Sequence, residues 1–193
     1  MVPVSRHIIL VVLIGLFTGS CGEGDTGIQD STEVPDYVVL ATDSGIAHRG
    51  GLLYYHDSLF SGYLVEHYDQ NAEKSRTPYL SGKKHGRAEA WYPDGMKMDE
   101  RTWVNGLKEG EHRGWWEDGT PRYLYHFKNG QHEGSAQEWY ADGILYRDFN
   151  YVKGQEEGAQ MMWNADGTIK ANYVIRDGRR FGSIGAKPCG GEG

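Results

Sequence analysis

The sequence predicts an all-β fold, in which tandem antiparallel β-hairpin repeats form an elongated, twisted meander sheet. The first observation is a glycine that recurs every 24 residues, at Gly62, Gly86, Gly110, Gly134, Gly158 and Gly182. The second is another series with the same step, at Gly82, Gly106, Gly130, Gly154 and Gly178. The third is an Asp-Gly pair at Asp94-Gly95, Asp118-Gly119, Asp142-Gly143 and Asp166-Gly167. A fixed period of this length indicates an array of structural repeats.

The unit 83–106 shows why the pattern predicts hairpins. Residues 87–92 and 97–104 are two short runs rich in strand-forming residues. Asp94-Gly95 separates them and Asn105-Gly106 follows the second, and these residue types tolerate the positive φ of tight hairpin turns. A glycine interrupts the chain about every eleven residues, which leaves no room for a helix of ordinary length.

Aromatic residues supply the predicted core. Apolar residues make up only 38% of the chain, but they include 6 Trp, 13 Tyr and 5 Phe. Aromatic pairs precede the turns and should stack from repeat to repeat, which stabilises a sheet through cross-strand contacts. The simplest interpretation is that these rings pack. The alternative is that one face presents them to a ligand, and this candidate binding surface comprises Tyr92, Trp116 and Tyr140 first, with Trp91, Trp115, Trp139 and Trp163.

The N-terminus is typical of an export signal. Arg6 and His7 precede an apolar run over residues 8–17, which is too short to span a bilayer as a helix. Small residues then lead to Cys21, in a pattern that resembles the lipobox of bacterial lipoproteins. The sequence therefore predicts lipidation of Cys21 and a membrane-anchored position in the bacterial cell envelope, which is the outer membrane in a Gram-negative cell. Plain secretion and a cytoplasmic location are the alternatives.

Five segments follow from these patterns. Residues 1–20 form the predicted lipoprotein signal peptide, and residues 21–36 form an acidic, flexible tether. Residues 37–58 are predicted to be degenerate leading strands or a cap. Residues 59–178 hold five repeats of 24 residues, and residues 179–193 hold a partial repeat and a Gly-rich tail.

The repeat also resembles a known family. Gly86, Trp91, Tyr92, Asp94-Gly95 and Gly106, with their equivalents in the next three repeats, are similar to the MORN-type repeat. They are similar in particular to the 24-residue MORN variant of the YwqK-type antitoxin family. The resemblance implies a β-hairpin array and an association with membrane or protein binding. It covers roughly residues 50–186 and implies no catalytic residues.

The sequence contains no pattern that predicts catalysis, a metal site or a cofactor. His85, His112, His126 and His132 do not share one column of the repeat, and no spaced metal-ligand motif is present. Glu109, Glu133 and Glu157 do share a column, and we expect them to be solvated turn residues. The net charge of −7 argues against nucleic acid as a partner. We therefore expect a binding protein and not an enzyme.

Three functions fit these expectations. The first is a membrane-anchored envelope lipoprotein whose repeat scaffold binds an unknown protein or another envelope component. The second is a repeat protein that binds the cell wall or a glycan. The third is the antitoxin component of a toxin–antitoxin system.

Overall fold

The computed structural model describes residues 33–69 and 71–184, which belong to the compact unit Ser31–Gly193. Every regular element in this part of the chain is a β-strand, so the predicted all-β fold is confirmed. The predicted signal peptide, Cys21 and most of the predicted tether lie outside the described residues. No helix in the described ranges is both long enough and apolar enough to cross a membrane.

The described chain contains short leading strands followed by hairpins of longer strands. The strands are β1 Val38–Leu40, β2 Ile46–Arg49, β3 Leu52–Tyr55, β4 Ser58–Leu59, β5 Gly62–His67, β6 Glu73–Leu80, β7 Lys83–Lys84, β8 Gly86–Trp91, β9 Lys97–Val104, β10 Leu107–Lys108, β11 Gly110–Trp115, β12 Pro121–Lys128, β13 Gln131–Trp139, β14 Leu145–Val152, β15 Gln155–Trp163, β16 Ile169–Arg176 and β17 Arg179–Ile184.

Most of these strands form one 14-stranded sheet. From β5 onward, consecutive hairpins lie side by side in chain order, as the predicted meander requires, while β7 and β10 are short extensions that pair with β6 and β9. The exception is β1, which pairs with β5 in parallel and makes the sheet mixed. Strands β2, β3 and β4 form a separate antiparallel sheet within residues 37–58, for which we predicted degenerate leading strands or a cap.

Two kinds of turn alternate along the array. At Asn105-Gly106 both residues have positive φ, 50° and 85°, which is the signature of a type I′ hairpin turn. At the Asp-Gly turns the aspartate side chain accepts a hydrogen bond from the backbone two residues on, as from Met96 N–H to Asp94 Oδ1 at 2.9 Å. The same bond recurs at Asp118, Asp142 and Asp166.

Neighbouring repeats are tied together through their type I′ turns. Gly106 N–H donates to the Lys84 carbonyl at 2.8 Å, and equivalent bonds recur one repeat further on at Gly130 and Gly154. Glu109 accepts a hydrogen bond from Asn129 N–H at 2.8 Å, and Glu133 accepts one from Lys153 N–H at 2.7 Å. These half-buried glutamates therefore do more than the solvation that we expected, because each also anchors the turn of the following repeat.

The core is divided along the sheet. At its start, Val39, Leu53, Phe60, Leu64 and Tyr79 form one buried cluster, to which the small sheet contributes Leu53. At its end, Phe149, Ala171, Tyr173 and Ile175 form another. Between these two clusters, aromatic residues of the central repeats line a cleft.

Candidate functional site

A cleft of about 590 Å³ opens on the sheet over the central repeats, a volume within the usual range for ligand sites. Tyr123, Tyr125 and Phe127 lie on its side of β12, since alternate residues of a strand share a face. We call this feature the central cleft. Its other aromatic lining residues are Trp116, Trp139, Tyr140 and Tyr146. Its polar lining residues are Arg101, Lys108, His112, Arg122, His132 and Glu138.

The floor of the cleft depends on a glycine. Tyr123 lies opposite Gly114 in the β11–β12 register, and its ring stacks on that of Tyr125 with centroids 4.7 Å apart and planes inclined by 15°. A Cβ at Gly114 would lie only 2.1 Å from Cε1 of Tyr123. Glycine at this position therefore lets the Tyr123 ring lie against the backbone of β11.

A β-bulge turns Arg122 into the cleft. Gly114 pairs with Tyr123, but the next residue, Trp115, pairs with Pro121, so Arg122 is an extra residue in β12. Bulges re-aim side chains in this way. The Arg122 guanidinium lies 5.4 Å from the Trp116 ring centroid and 5.5 Å from that of Tyr123. The same irregularity in the next hairpin falls at Tyr146, which also lines the cleft.

Trp116 interrupts a column of tyrosines that links the repeats. The hydroxyl of Tyr68 donates to the Trp91 carbonyl at 2.9 Å, and that of Tyr92 donates to the Trp115 carbonyl at 2.8 Å. Tyr140 makes the equivalent bond to Trp163, at 3.2 Å. In the one intervening repeat the column holds Trp116, whose buried indole Nε1–H has no hydrogen-bond partner among the described residues.

Phe127 is covered by a cation and two imidazoles. The Lys108 ammonium lies 4.6 Å from its ring centroid, and the rings of His112 and His132 lie 4.6 and 4.2 Å away. Burial lowers the pKa of both histidines, which favours their neutral forms. His112 Nε2–H donates to the Thr102 carbonyl at 2.8 Å, whereas the buried Nδ1 of His132 has no partner among the described residues.

The single carboxylate of the cleft is already engaged. Glu138 accepts hydrogen bonds from both the Tyr125 hydroxyl and the Arg147 guanidinium. Burial and this carboxylate raise the pKa of Tyr125 well above its ordinary value, so the phenol stays protonated. Because Glu138 is paired, the charge that remains available to a ligand in the cleft is positive.

The structure separates the residues of the predicted binding surface. Trp116, Trp139 and Tyr140 line the central cleft, whereas Tyr92, Trp91, Trp115 and Trp163 lie outside it. All seven are half-buried. The four residues outside the cleft take part in the hydrogen bonds that link repeats. The Tyr92 hydroxyl donates one of these bonds, and the backbone carbonyls of Trp91, Trp115 and Trp163 accept them. Cys21, the predicted lipidation site, is not among the described residues.

Other cleft residues were not identified from the sequence. Arg122 and Tyr146 reach the cleft through bulges that the repeat pattern does not reveal, and Lys108 and His132 reach it because they cover the ring of Phe127. One signal was available, because Trp116 departs from tyrosine in its column. Within residues 33–69 and 71–184 no group of three or more His, Cys, Asp or Glu side chains is placed to hold a metal ion.

Comparison with known families supports the repeat. Residues 108–129 match the model of a family described as a MORN repeat variant. This segment is one repeat long and contains β11 and β12, which carry Gly114, Arg122 and Tyr123 of the cleft. No curated protein matches the chain.

Proposed function

We propose that this protein is a non-enzymatic repeat scaffold of the bacterial cell envelope that binds a protein partner in its central cleft. The observation that carries the proposal is the departure of the third repeat from its neighbours. At this repeat, Trp116 replaces the tyrosine that elsewhere links repeats, and its buried N–H lines the cleft and has no acceptor among residues 33–69 and 71–184. A buried donor without a partner costs folding free energy. A bound ligand that supplies an acceptor removes that cost.

The MORN-type match supports a binding role at this repeat. It covers the strands that carry much of the cleft lining. The lining combines aromatic surface with a few polar groups, a combination that favours binding of a ligand with both apolar and polar parts. The proposal of an envelope location depends on a different feature, the apolar run over residues 8–17 and the cysteine at position 21. Palmitate labelling of the wild-type chain, lost in Cys21→Ser, tests the anchor separately.

Site-specific photocrosslinking in intact cells tests the cleft. A benzophenone amino acid at Ala141, an exposed residue on the cleft rim, should capture a protein partner. The matched control position is Ala159, which is also exposed. Its neighbour Gln160 is the repeat equivalent of the cleft residue His112, so Ala159 points to the face of the sheet away from the cleft. Capture from Ala141 but not from Ala159 supports the proposal. Absence of a product, or equal capture from both positions, contradicts it.

A glycan is the second candidate, because sugar rings also stack on aromatic side chains, and the rings of Trp139, Tyr140 and Tyr146 reach the cleft. Sedimentation of the folded chain with purified peptidoglycan distinguishes the two candidates. If the protein partner is the true ligand, the chain stays in the supernatant. Co-sedimentation that is lost in Trp116→Ala would favour the glycan.

A further inference from the structure

We infer that the central cleft binds an acidic segment of the protein partner, whose carboxylates pair with Arg122 and Lys108 while its aromatic side chains pack between the rings. This inference rests on the proposed function, since it names the chemistry of the partner at the same site. Three features of the cleft support it: within the described residues two cations have no acidic partner and the buried Trp116 Nε1–H has no acceptor, and aromatic rings flank these groups.

The two cations lack acidic partners within the described residues. The Arg122 guanidinium lies over the rings of Trp116 and Tyr123, and the Lys108 ammonium lies over the ring of Phe127. The nearby acids are committed elsewhere, Glu138 to Arg147 and Asp99 to Arg101 at 2.7 Å. A planar guanidinium held against rings keeps its donors in a fixed fork, which matches a carboxylate in two-point contact.

The buried indole N–H of Trp116 favours a ligand that supplies hydrogen-bond acceptors. Trp116 Nε1 can only donate, and it is enclosed beside Arg122. Each carboxylate oxygen carries two lone pairs, so a carboxylate in two-point contact with Arg122 can also accept a hydrogen bond from a neighbouring N–H. The whole chain carries a net charge of −7, which repels acidic segments from other parts of its surface and makes the positive cleft selective.

The number of cations favours a peptide over a polyphosphate or an anionic lipid headgroup. Arg122 and Lys108 suit separate carboxylates, whereas groups with several negative charges call for clustered basic residues. Arg101, the remaining cation of the lining, is neutralised by Asp99. The aromatic side chains that flank the two cations would pack against the other side chains of the peptide.

The test is fluorescence anisotropy with the full chain in nonionic detergent. The probe is a fluorescein-labelled decapeptide of alternating glutamate and tyrosine, and the comparison peptide replaces glutamate by glutamine. We expect the acidic peptide to bind at least about tenfold more tightly, because a charge-assisted hydrogen bond is worth roughly that factor. Its affinity should fall as the ionic strength rises. Equal affinity for the two peptides overturns the inference.

Two variants localise the binding. Arg122→Gln should weaken binding of the acidic peptide about tenfold, while the glutamine peptide is unaffected. The control is Arg113→Gln, which removes the same charge from an exposed arginine that pairs with Glu111 on the opposite face of β11. It should change the affinity less than twofold. If both variants weaken binding equally, the attraction is a diffuse charge effect and the inference is wrong.

Two further results separate this inference from the proposed function. If Ala141 captures a partner in cells but the acidic peptide does not bind, the cleft is a binding site for different chemistry. If phosphatidylglycerol vesicles bind in an Arg122-dependent manner and the peptide does not, the ligand is a lipid. Each result overturns the acidic-peptide inference, and the first leaves the proposed function intact.

Discussion

The first and third repeats cover an aromatic ring at the same repeat position with different residues. Tyr79 and Phe127 are equivalent residues, opposite Gly62 and Gly110 in their hairpins, and are 7% and 6% exposed. Tyr79 packs against Phe60 and belongs to the same buried cluster as Leu53 of the small sheet. Phe127 is covered by Lys108, which is the repeat equivalent of Phe60, and by His112 and His132.

This difference distinguishes an apolar core at the N-terminal end from the polar cleft that we propose as the binding site. Phe60 buries hydrocarbon and leaves no polar group to satisfy, so it gives the N-terminal end a conventional core. Lys108 covers a ring equally well but keeps a charge that solvent or a ligand can reach. The same backbone repeat therefore carries an apolar covering at the N-terminal end and a polar covering in the third repeat, and Lys108 in place of Phe60 is one of the substitutions that make the difference.

The largest expected effect on stability comes from the buried cluster at the N-terminal end of the sheet. Leu53→Ala removes a side chain that is almost completely buried, so we expect the free energy of unfolding to fall by about 2–5 kcal/mol. Lys108→Ala, which removes the ammonium from the ring of Phe127 in the third repeat, should lower the free energy of unfolding by only about 0.5–1 kcal/mol. Urea unfolding followed by tryptophan fluorescence measures both. Equal costs would show that the N-terminal end and the third repeat are stabilised in the same way.

Gly114→Ala should disturb the central cleft and leave the buried cluster at the N-terminal end of the sheet unchanged. The new Cβ overlaps the Tyr123 ring, and displacing that ring should cost about 1–3 kcal/mol and weaken peptide binding. The control is the same change in a Tyr123→Ala background, where the overlap is gone. A double-mutant cycle then gives a coupling energy. Additive effects would mean that the ring does not depend on the glycine.

A smaller effect should distinguish the tyrosine column from Trp116. Tyr92→Phe removes the hydrogen bond to the Trp115 carbonyl, which should cost about 0.5–1.5 kcal/mol. Trp116→Tyr introduces the hydroxyl that this column has in neighbouring repeats. We expect it to keep or raise the free energy of unfolding while it weakens binding in the cleft. A loss of stability in Trp116→Tyr with unchanged binding would assign Trp116 to folding alone.

The sequence predicted the array because its period depends on local chemistry. Asn105-Gly106 and Asp94-Gly95 require particular backbone angles, and these requirements are visible in the residue types. The cleft could not be predicted in the same way. Because neighbouring residues of a strand alternate between faces, Arg122 and Tyr123 would be expected on opposite faces of the sheet. The bulge at Arg122 in β12 brings both side chains to the cleft face. Leading strands or a cap were predicted over residues 37–58, but the repeat pattern did not predict that Leu53 would join the same buried cluster as Tyr79.

The smallest expected effect concerns pH and the buried imidazole of the third repeat. His112 occupies the position that Gln160 holds two repeats later, and both side chains donate to a strand carbonyl beside an irregular pairing, Thr102 and Asn150 respectively. Burial lowers the pKa of His112 below its ordinary value of 6.5, so the unfolded chain binds its proton first as the pH falls. The stability linked to His112 is therefore present above about pH 6.5 and is lost below it.

His112→Gln should keep the hydrogen bond and remove this titration. The free energy of unfolding should then fall less between about pH 7 and pH 5 in the variant than in the wild type. The two proteins differ only at position 112, so the difference between the two curves isolates His112. Chemical unfolding at a series of pH values measures it. Parallel curves would mean that protonation of His112 is not coupled to folding, and that the polar covering of Phe127 tolerates a charge as readily as the solvent does.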